Sequence, residues 1–337
     1  MEGDDDLRAR RRVVTLHDVA REAGVAVSTV SRALSDPGRV NVRTREHVRA
    51  VAQELGYRPN RLAQALPTGR TGTLAVLVPD ISNPHNFRFV RGAEAQTRAA
   101  GSILIIGDTQ GGPEVETAHV DRLASSVDGF VLASSRLPDA ALVSIAERSP
   151  VVLFNRRVEG LASLATDSAD GSRQIIEHLV ALGHRSLADL AGPTAAWADA
   201  ERWRALSVHG EAAGVRVVRC GPFDPTLEGG PAAADVGMST GATALIAFND
   251  LLAIGVLRRL AEQGIAVPGA VSVVGYDDIF GADFCSPPLT TVAGPVEDAG
   301  RILVDVLVAG RAPVPTITLP THLRVRRSTG PPPASGG

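Results

Sequence analysis

A short segment near the start of the sequence carries hydroxyl and guanidinium groups at helical spacing. Ser28 and Arg32 are four residues apart and therefore lie on one face of a helix. A guanidinium can donate two hydrogen bonds to O6 and N7 of a guanine, and the hydroxyls of Thr29 and Ser31 can donate to phosphates. Val27 is expected to project from the same face, away from the core. We expect this face to contact DNA, with Arg32 reading a base, although a solvated helix face remains the alternative.

Three short helices are predicted to present that face. Thr15 is the expected N-cap of the first helix and Gly24 its end, and Asn41 is the expected N-cap of the third, which Gly56 closes. Apolar residues recur at helical spacing in each helix and should form one small core. They are Leu16, Val19, Ala20 and Ala23, then Val30, Ala33 and Leu34, then Val48, Val51, Ala52 and Leu55. Helix, glycine turn and helix is the geometry that lays a second helix into the major groove.

Charge is distributed unevenly along the 337 residues. The net charge is -3, but residues 8–70 hold 13 arginines against five acidic residues, while residues 71–337 hold 21 arginines against 28 acidic residues. A basic segment joined to an acidic body is expected of a DNA-binding head. The acidic start does not resemble a signal peptide, and no apolar run reaches membrane-spanning length. With two widely spaced cysteines, we expect a cytoplasmic protein without disulfides, metal or cofactor.

Beyond residue 72 the pattern changes to short apolar runs separated by helical segments. The runs are 74–78, 103–106, 129–133, 151–154, 187–190, 215–218, 245–248 and 271–274. Continuous apolar strands alternating with helices predict two doubly wound parallel sheets, hence an α/β domain of two lobes. A ligand would bind in the cleft between the lobes, at the carboxyl ends of the strands.

Polar residues follow several of these runs and could converge across the cleft. They are Asn155, Arg156, Asp167, Asn249 and Asp277. Side chains of these types orient ligands rich in hydroxyl groups. Asp167 and Asn249 could instead cap helices.

Several motifs together resemble the lactose-repressor (LacI/GalR) family of transcriptional regulators. The resemblance runs from about residue 14 to residue 327 and rests on six segments. They are Thr-Leu-His-Asp-Val-Ala-Arg-Glu-Ala-Gly-Val-Ala-Val-Ser-Thr-Val-Ser-Arg (15–32), Gly-Tyr-Arg-Pro-Asn-Arg-Leu-Ala (56–63), Val-Leu-Val-Pro-Asp-Ile-Ser-Asn-Pro (76–84), His-Leu-Val-Ala-Leu-Gly-His-Arg (178–185), Phe-Asn-Asp (248–250) and Val-Gly-Tyr-Asp-Asp (274–278).

The resemblance implies roles that the residues alone do not assign. Residues 60–66 match a hinge helix that enters the minor groove, where Asn60, Ala63 and Leu66 would contact DNA and Leu66 would wedge between base pairs. Without the resemblance, Leu66 could simply pack the linker. Arg202 matches the residue that anchors ligand hydroxyls or a carboxylate, and Phe223 matches an aromatic lying against the ligand ring. Taken singly, a phenylalanine such as Phe223 is more often a core residue than a platform for a ligand.

One departure from the family pattern bears on the ligand. His85 and Asn86 stand where the family commonly has aromatic residues, which favours a polar, hydroxylated ligand over a flat purine. His85 could instead cap the helix that follows.

The predicted organisation has five parts. They are a disordered tail (1–13), a helix-turn-helix domain (14–59), a hinge and linker (60–71), an effector and dimerisation domain (72–327) and a second disordered tail (328–337). Lobe 1 should comprise about 72–162 and 290–318, and lobe 2 about 163–289 and 319–327.

Three functional hypotheses follow. The first is a homodimeric repressor that binds a palindromic operator and responds to a small molecule, most simply a sugar. The second is a transporter-linked sugar-binding protein, which predicts a signal peptide and no basic head. The third is an enzyme, which needs a phosphate-binding glycine loop, a nucleophile elbow or paired metal ligands, none of which the sequence carries. The sequence does not specify whether the ligand releases DNA or strengthens binding.

Overall fold

The computed structural model describes residues 14–35, 40–57, 70–310 and 314–333. The chain divides into two compact units, Met1–Gly72 and Thr73–Gly337. The first contains short helices and the second is an α/β structure with two sheets. The predicted fold class is confirmed.

The N-terminal unit contains α1 (Leu16–Ala23), α2 (Val27–Ser35) and α3 (Val42–Glu54). The Thr15 hydroxyl accepts a hydrogen bond from the Asp18 backbone N–H, and the Asp18 carboxylate accepts one from the Thr15 N–H, which is a capping box. Gly24 ends α1 with φ of 66°, a left-handed conformation that glycine adopts at little cost. One small apolar core joins the three helices. Its buried residues are Val19, Ala20, Ala23, Val30, Ala33, Val48, Val51 and Ala52.

Two six-stranded sheets form the second unit, one in each lobe. Lobe 1 holds β1 (Thr73–Val78), β2 (Ile103–Asp108), β3 (Phe130–Ala133), β4 (Val151–Phe154), β5 (Ala162–Thr166) and β11 (Thr316–Leu319). Lobe 2 holds β6 (Ser186–Leu190), β7 (Arg216–Cys220), β8 (Ala244–Ala247), β9 (Ser272–Tyr276), β10 (Thr290–Ala293) and β12 (His322–Arg324). The helices are α4 (Pro84–Ala99), α5 (Pro113–Leu123), α6 (Asp139–Arg148), α7 (Ser168–Ala181), α8 (Trp197–Ala212), α9 (Gly230–Ser239), α10 (Asp250–Glu262) and α11 (Val296–Ala309).

Both sheets have the strand order of doubly wound folds. The orders are β11-β5-β4-β3-β1-β2 and β12-β10-β9-β8-β6-β7. Their strand pairs are parallel, except that β12 runs antiparallel to β10. The order reverses beside β1 in lobe 1 and beside β6 in lobe 2, and such switch points open a crevice at the carboxyl ends of the strands.

Four strands escaped the sequence prediction, and they move the lobe boundaries. β5 and β11 belong to lobe 1, while β10 and β12 belong to lobe 2. Residues 163–166 therefore lie in lobe 1 and residues 290–293 in lobe 2, contrary to the predicted bounds. The chain crosses between lobes after β5, β10 and β11. The four strands are short and contain Ser, Thr, His or Arg, so no continuous apolar run marks them.

Helices α4 and α11 pack in close contact on lobe 1. A Cβ added at Gly92 would lie 1.8 Å from the carbonyl oxygen of Glu297, and one at Gly300 would lie 2.3 Å from that of Phe89. Both separations are shorter than van der Waals contact. Only glycine therefore permits this approach of the two helices.

The predicted disordered tail does not begin at residue 328. The Ser328 hydroxyl is buried, donates to the Val273 carbonyl (2.6 Å) and accepts from the Thr290 N–H (2.8 Å). The Gly330 carbonyl lies 2.9 Å from Nε2 of His184, a hydrogen-bonding distance. Composition rich in Pro, Gly and Ser suggested disorder, but these small residues fit against lobe 2, where hydrogen bonds hold them.

Candidate functional site

The predicted DNA-contacting face is largely exposed. Ser28, Ser31 and Arg32 are exposed on α2, and Thr29 is half-buried. The prediction that Val27 projects away from the core is wrong, because its side chain packs against the three-helix core. It lies on the first turn of α2, where an apolar side chain covers the edge of the core. The polar face therefore consists of the hydroxyls and the Arg32 guanidinium.

The predicted hinge residues Asn60, Ala63 and Leu66 lie outside the described residues. The tail at residues 1–13 does as well. Their roles stay predictions.

Strained backbone marks the edge of the cleft between the lobes. Gln110, Ser134 and Asn155 have φ of 51°, 49° and 48°, and each follows a strand of lobe 1. Asp277 and Asp278, which follow β9 in lobe 2, have φ of 104° and 48°. Side chains other than glycine rarely adopt this region, and such residues cluster at ligand-binding sites.

Arg202 of α8 lies at the centre of the cleft. Its guanidinium carbon lies 4.1 Å from the ring centroid of Tyr276 and 5.0 Å from that of Phe248. It donates hydrogen bonds to the Phe248 carbonyl and, at 3.4 Å, to Oδ1 of Asp277. Its buried Nε finds no hydrogen-bond partner among the described residues. Stacking and hydrogen bonds thus hold a buried cation that still has a donor to offer.

His85 approaches the same aspartate from the opposite lobe. Nδ1 of His85, on α4, lies 3.5 Å from Oδ1 of Asp277. Burial lowers the pKa of His85, although the charge of Asp277 opposes this effect and the charges of Arg202 and Arg88 add to it. The imidazole is therefore neutral at pH 7. Nδ1 makes no hydrogen bond to any described residue.

The amide side chains are held by neighbouring loops. Asn249 caps α10 by accepting from the Leu252 N–H (2.9 Å) and donates to the Pro225 carbonyl (2.9 Å). Asn155 accepts from the Thr166 N–H (3.1 Å), and Asn86 donates to the Asp80 carbonyl (2.8 Å).

Six of the predicted ligand-binding residues line one small cavity. Its volume is about 100 Å³. The six are His85, Asn86, Asn155, Arg202, Asn249 and Asp277. Phe223 lies in the wall of an adjoining cavity of about 600 Å³. A cleft lined by carboxylate, guanidinium, imidazole and amide groups can exchange many hydrogen bonds with a small polar molecule.

The structure places two predicted residues away from both cavities. Arg156 donates to the Leu137 carbonyl (3.1 Å) and pairs with the carboxylate of Asp139 (2.5 Å). Asp167 caps α7 by accepting from the Asp170 N–H (2.9 Å), the alternative that the sequence left open. His85 is not the helix cap, because Asn83 accepts its backbone N–H (3.0 Å).

Arg136 escaped the sequence analysis although it lines both cavities. It donates to the Gly111 carbonyl (2.9 Å). Burial lowers the pKa of Arg136, while the charges of Glu116 and Asp224 oppose this effect. Its position after the apolar strand β3 was an available signal, but Asn155 and Arg156 hold the same kind of position and only one of them faces the cleft.

Asp250 supports the strained loop after β9. The carboxylate accepts from the Ile279 N–H (2.9 Å) and from the Thr291 hydroxyl (2.6 Å). Burial raises the pKa of Asp250 well above its ordinary value, and the charge of Asp277 adds to the rise.

A second buried acid lies behind Arg202 in lobe 2. Oδ2 of Asp189, on β6, lies 3.9 Å from Nε of Arg219. That oxygen accepts no hydrogen bond from the described residues. The Arg219 guanidinium donates a hydrogen bond to the carboxylate of Asp199, which also accepts a hydrogen bond from the Gly192 N–H (2.7 Å). Burial and then the charge of Asp199 raise the pKa of Asp189 to about 7, while Arg219 and Arg202 oppose them.

The described residues contain no group of three or more His, Cys, Asp and Glu side chains that could hold a metal ion. Within the same ranges, no helix combines the length and apolar character needed to cross a membrane.

Comparison with known proteins matches two family models. Residues 15–60 match the model for bacterial regulatory proteins of the lacI family, and residues 176–329 match a periplasmic binding protein-like domain. The HTH-type transcriptional regulator DegA of Bacillus subtilis is 33% identical over 94% of this chain and 98% of its own length.

Two solved structures show the same architecture. The lac repressor dimer bound to operator and the anti-inducer ONPF has a TM-score of 0.83, with 29% identity over 94% of this chain and 99% of that chain. The complex of the transcriptional regulator CelR with cellobiose has a TM-score of 0.70, with 31% identity over the same shares of the two chains.

Proposed function

Because the chain belongs to the lacI family of DNA-binding transcriptional regulators, we propose that it represses transcription as a sugar-responsive homodimer on a near-palindromic operator. Relatives that match this chain over most of their length, such as DegA, are transcriptional regulators. A protein with this role acts in the cytoplasm, on chromosomal DNA.

The exposed face of α2 supports the reading of an operator half-site. Ser28 and Arg32 are both exposed, one helical turn apart. The hydroxyls would bond phosphates and fix the register, while Arg32 would read a guanine. The hinge residues Asn60, Ala63 and Leu66 would add minor-groove contacts.

The buried arginine in the cleft carries the proposal of a sugar effector. The Arg202 guanidinium lies over the rings of Tyr276 and Phe248 and has an Nε without a partner among the described residues, and Asp277 is held at φ of 104° beside it. A buried donor and a strained acceptor, side by side and largely preorganised, suit the vicinal hydroxyls of a sugar. Cellobiose in the related CelR structure is a ligand of this chemical class.

An exposed aromatic pair supports dimerisation. Phe280 and Phe284 are 80% and 66% exposed, with ring centroids 5.1 Å apart. Both lie in the loop between β9 and β10, which begins at the cleft residue Asp277. Large exposed apolar groups mark interaction surfaces, and the related lac repressor is a dimer on its operator.

Contacts across the cleft provide a route for regulation. In lobe 1, Nδ1 of His85 lies 3.5 Å from Oδ1 of Asp277 in lobe 2. The guanidinium of Arg88, also in lobe 1, donates a hydrogen bond to the Asp278 carbonyl of lobe 2 (3.4 Å). An effector that replaced these contacts would change the relative position of the lobes. The affinities for effector and operator must then change by the same factor.

A mobility shift on the DNA upstream of the protein's own gene tests the proposal. We expect a salt-sensitive complex that one added sugar abolishes or strengthens. Arg202→Gln should keep the complex and lose the sugar response. Arg204→Gln is the matched control, because Arg204 is an exposed residue of the same helix that pairs with Glu201. Absence of DNA binding at low salt would refute the regulator role, and a normal sugar response in Arg202→Gln would refute the cleft as the effector site.

A further inference from the structure

The cleft contains two adjoining chambers of different size. The inner chamber has about 100 Å³ and the outer chamber about 600 Å³. Pro79, Asp80, Arg136 and Pro225 line both, so the chambers share a wall. Pockets that enclose drug-sized ligands have about 300–1,000 Å³. The inner chamber can hold only one end of such a ligand, and the outer chamber has room for the remainder.

The outer chamber has the surface of a platform for a ring. Phe223 is half-buried, and its backbone N–H donates to the Ala191 carbonyl (2.9 Å), which fixes the residue at the end of β7. Pro113, Pro193 and Pro222 add further apolar, rigid surface. A sugar ring presents C–H groups on its faces and hydroxyls on its rim, so its face can cover Phe223 while its rim meets the polar side chains.

The residues that line the outer chamber include more acidic than basic side chains. Its wall carries the carboxylates of Asp80, Asp108 and Asp224 and the guanidinium of Arg136. Carboxylates accept hydrogen bonds from hydroxyl groups and repel phosphate or carboxylate groups. In the inner chamber, Arg136 and Arg202 balance Asp80 and Asp277.

We propose that the effector is an uncharged saccharide of at least two units, with one unit in the inner chamber on Arg202 and Asp277 and the next unit on Phe223 in the outer chamber. This inference rests on the proposed function and deepens it. Phe223 would select ligands long enough to place a second unit against its ring, and the aspartates of the outer chamber would exclude anionic ligands. The inner unit provides the hydrogen bonds that anchor the ligand. The outer unit provides most of the buried area.

Calorimetric titration of the whole protein tests this division. The probes are maltose, cellobiose, trehalose, laminaribiose, gentiobiose, lactose, melibiose and xylobiose, with glucose, galactose, xylose and glucose 6-phosphate. We expect one disaccharide to bind about tenfold or more tightly than its component sugars, a difference of about 1.4 kcal/mol. Phe223→Ala should remove that advantage and leave the Kd of the monosaccharide unchanged. Phe87→Ala, an exposed phenylalanine outside both chambers, is the matched control.

The alternative for Phe223 is a purely structural role. In that case Phe223→Ala weakens monosaccharide and disaccharide equally and lowers the melting temperature, which overturns the inference. Tightest binding by a monosaccharide or by glucose 6-phosphate also overturns it, and leaves a sugar-responsive regulator in place. If every saccharide in the panel fails to bind, both the inference and the sugar effector are refuted. Operator binding, measured separately, still reports on the DNA-binding function.

Discussion

Replacement of Asp189 by Asn should stabilise the α/β unit at neutral pH. Burial, with the nearby charge of Asp199, raises the pKa of Asp189 from 3.8 to about 7, whereas in the unfolded chain the carboxyl keeps its ordinary pKa. Above pH 7 the folded protein therefore holds a buried negative charge with incomplete compensation. Each pKa unit corresponds to about 1.36 kcal/mol, so the charged form lowers the free energy of unfolding by about 4 kcal/mol.

The sign of the pH dependence follows from the raised pKa. Below about pH 4 the carboxyl is protonated in both the folded and unfolded states, and Asp189→Asn should have little effect. Between about pH 4 and pH 7 the unfolded state loses its proton first, so the stability of the parent protein falls as pH rises. The variant lacks this titration. The difference in free energy of unfolding should therefore increase from near zero to its maximum above pH 7.

Tryptophan fluorescence makes the measurement specific to this unit. The two tryptophans, Trp197 and Trp203, both lie on α8, and the guanidinium carbon of Arg219 is 5.2 Å from the Trp203 ring centroid. Urea unfolding of parent and variant at pH 4 to 8 gives the difference directly.

Asp235→Asn is the control for this experiment. Asp235 is an exposed aspartate whose pKa is lowered by hydrogen bonds from Arg259 and Gln263. Its stabilising contribution is present above the ordinary pKa and is lost as pH falls, so removing it should destabilise slightly at neutral pH. A stability difference for Asp189→Asn that does not change between pH 4 and pH 8 would refute the raised pKa of Asp189.

Three further predictions concern the DNA face, the C-terminal segment and the helix contact. Arg32→Ala should relax discrimination at one guanine of each half-site by about 1–3 kcal/mol in a binding assay with operator variants, and an equal loss on every sequence would contradict base reading. Ser328→Ala leaves the buried N–H of Thr290 and carbonyl of Val273 without their hydroxyl partner, so it should lower the free energy of unfolding by about 1–3 kcal/mol; Thr117→Ala, which removes an exposed hydroxyl, should change it by less than about 0.5 kcal/mol, and equal effects would contradict the argument. Gly92→Ala should lower the free energy of unfolding of lobe 1 by at least about 1–3 kcal/mol through overpacking, measured by urea unfolding. Gly269→Ala, whose Cβ would meet its nearest neighbour at 3.5 Å, should be neutral. A neutral Gly92→Ala would show that α4 and α11 can separate.

The sequence predicted eight strands and missed the four that adjoin the lobe crossings, which form one side of each sheet. β3 and β4 are buried on both faces and read as continuous apolar runs. β10 is buried too, but it contains Thr290 and Thr291, whose hydroxyls bond Thr329 and Asp250. Such partners are distant along the chain. Local pattern cannot reveal that a polar residue is satisfied inside a sheet.

The candidate site shows the same limit. Asn155 and Arg156 are adjacent after β4, yet the strained φ of Asn155 directs one into the cleft while Arg156 reaches Asp139. Asp189 stands inside a run that is otherwise apolar, so its charge was a visible signal of a buried acid. Its effect depends on Asp199 and Arg219, which only the folded sheet places beside it.

The chain crosses between the lobes three times, and this determines when each lobe can be completed during synthesis. Lobe 1 lacks β11 and lobe 2 lacks β12 until the last part of the chain is synthesised, and Ser328 is still needed to fill lobe 2. The three-helix unit is complete by residue 57. At about 5–20 residues per second, the remaining stretch of about 270 residues takes roughly 14–55 s to emerge from the ribosome. During each round of translation, all residues of the three described helices therefore emerge well before either sheet of the α/β unit is complete.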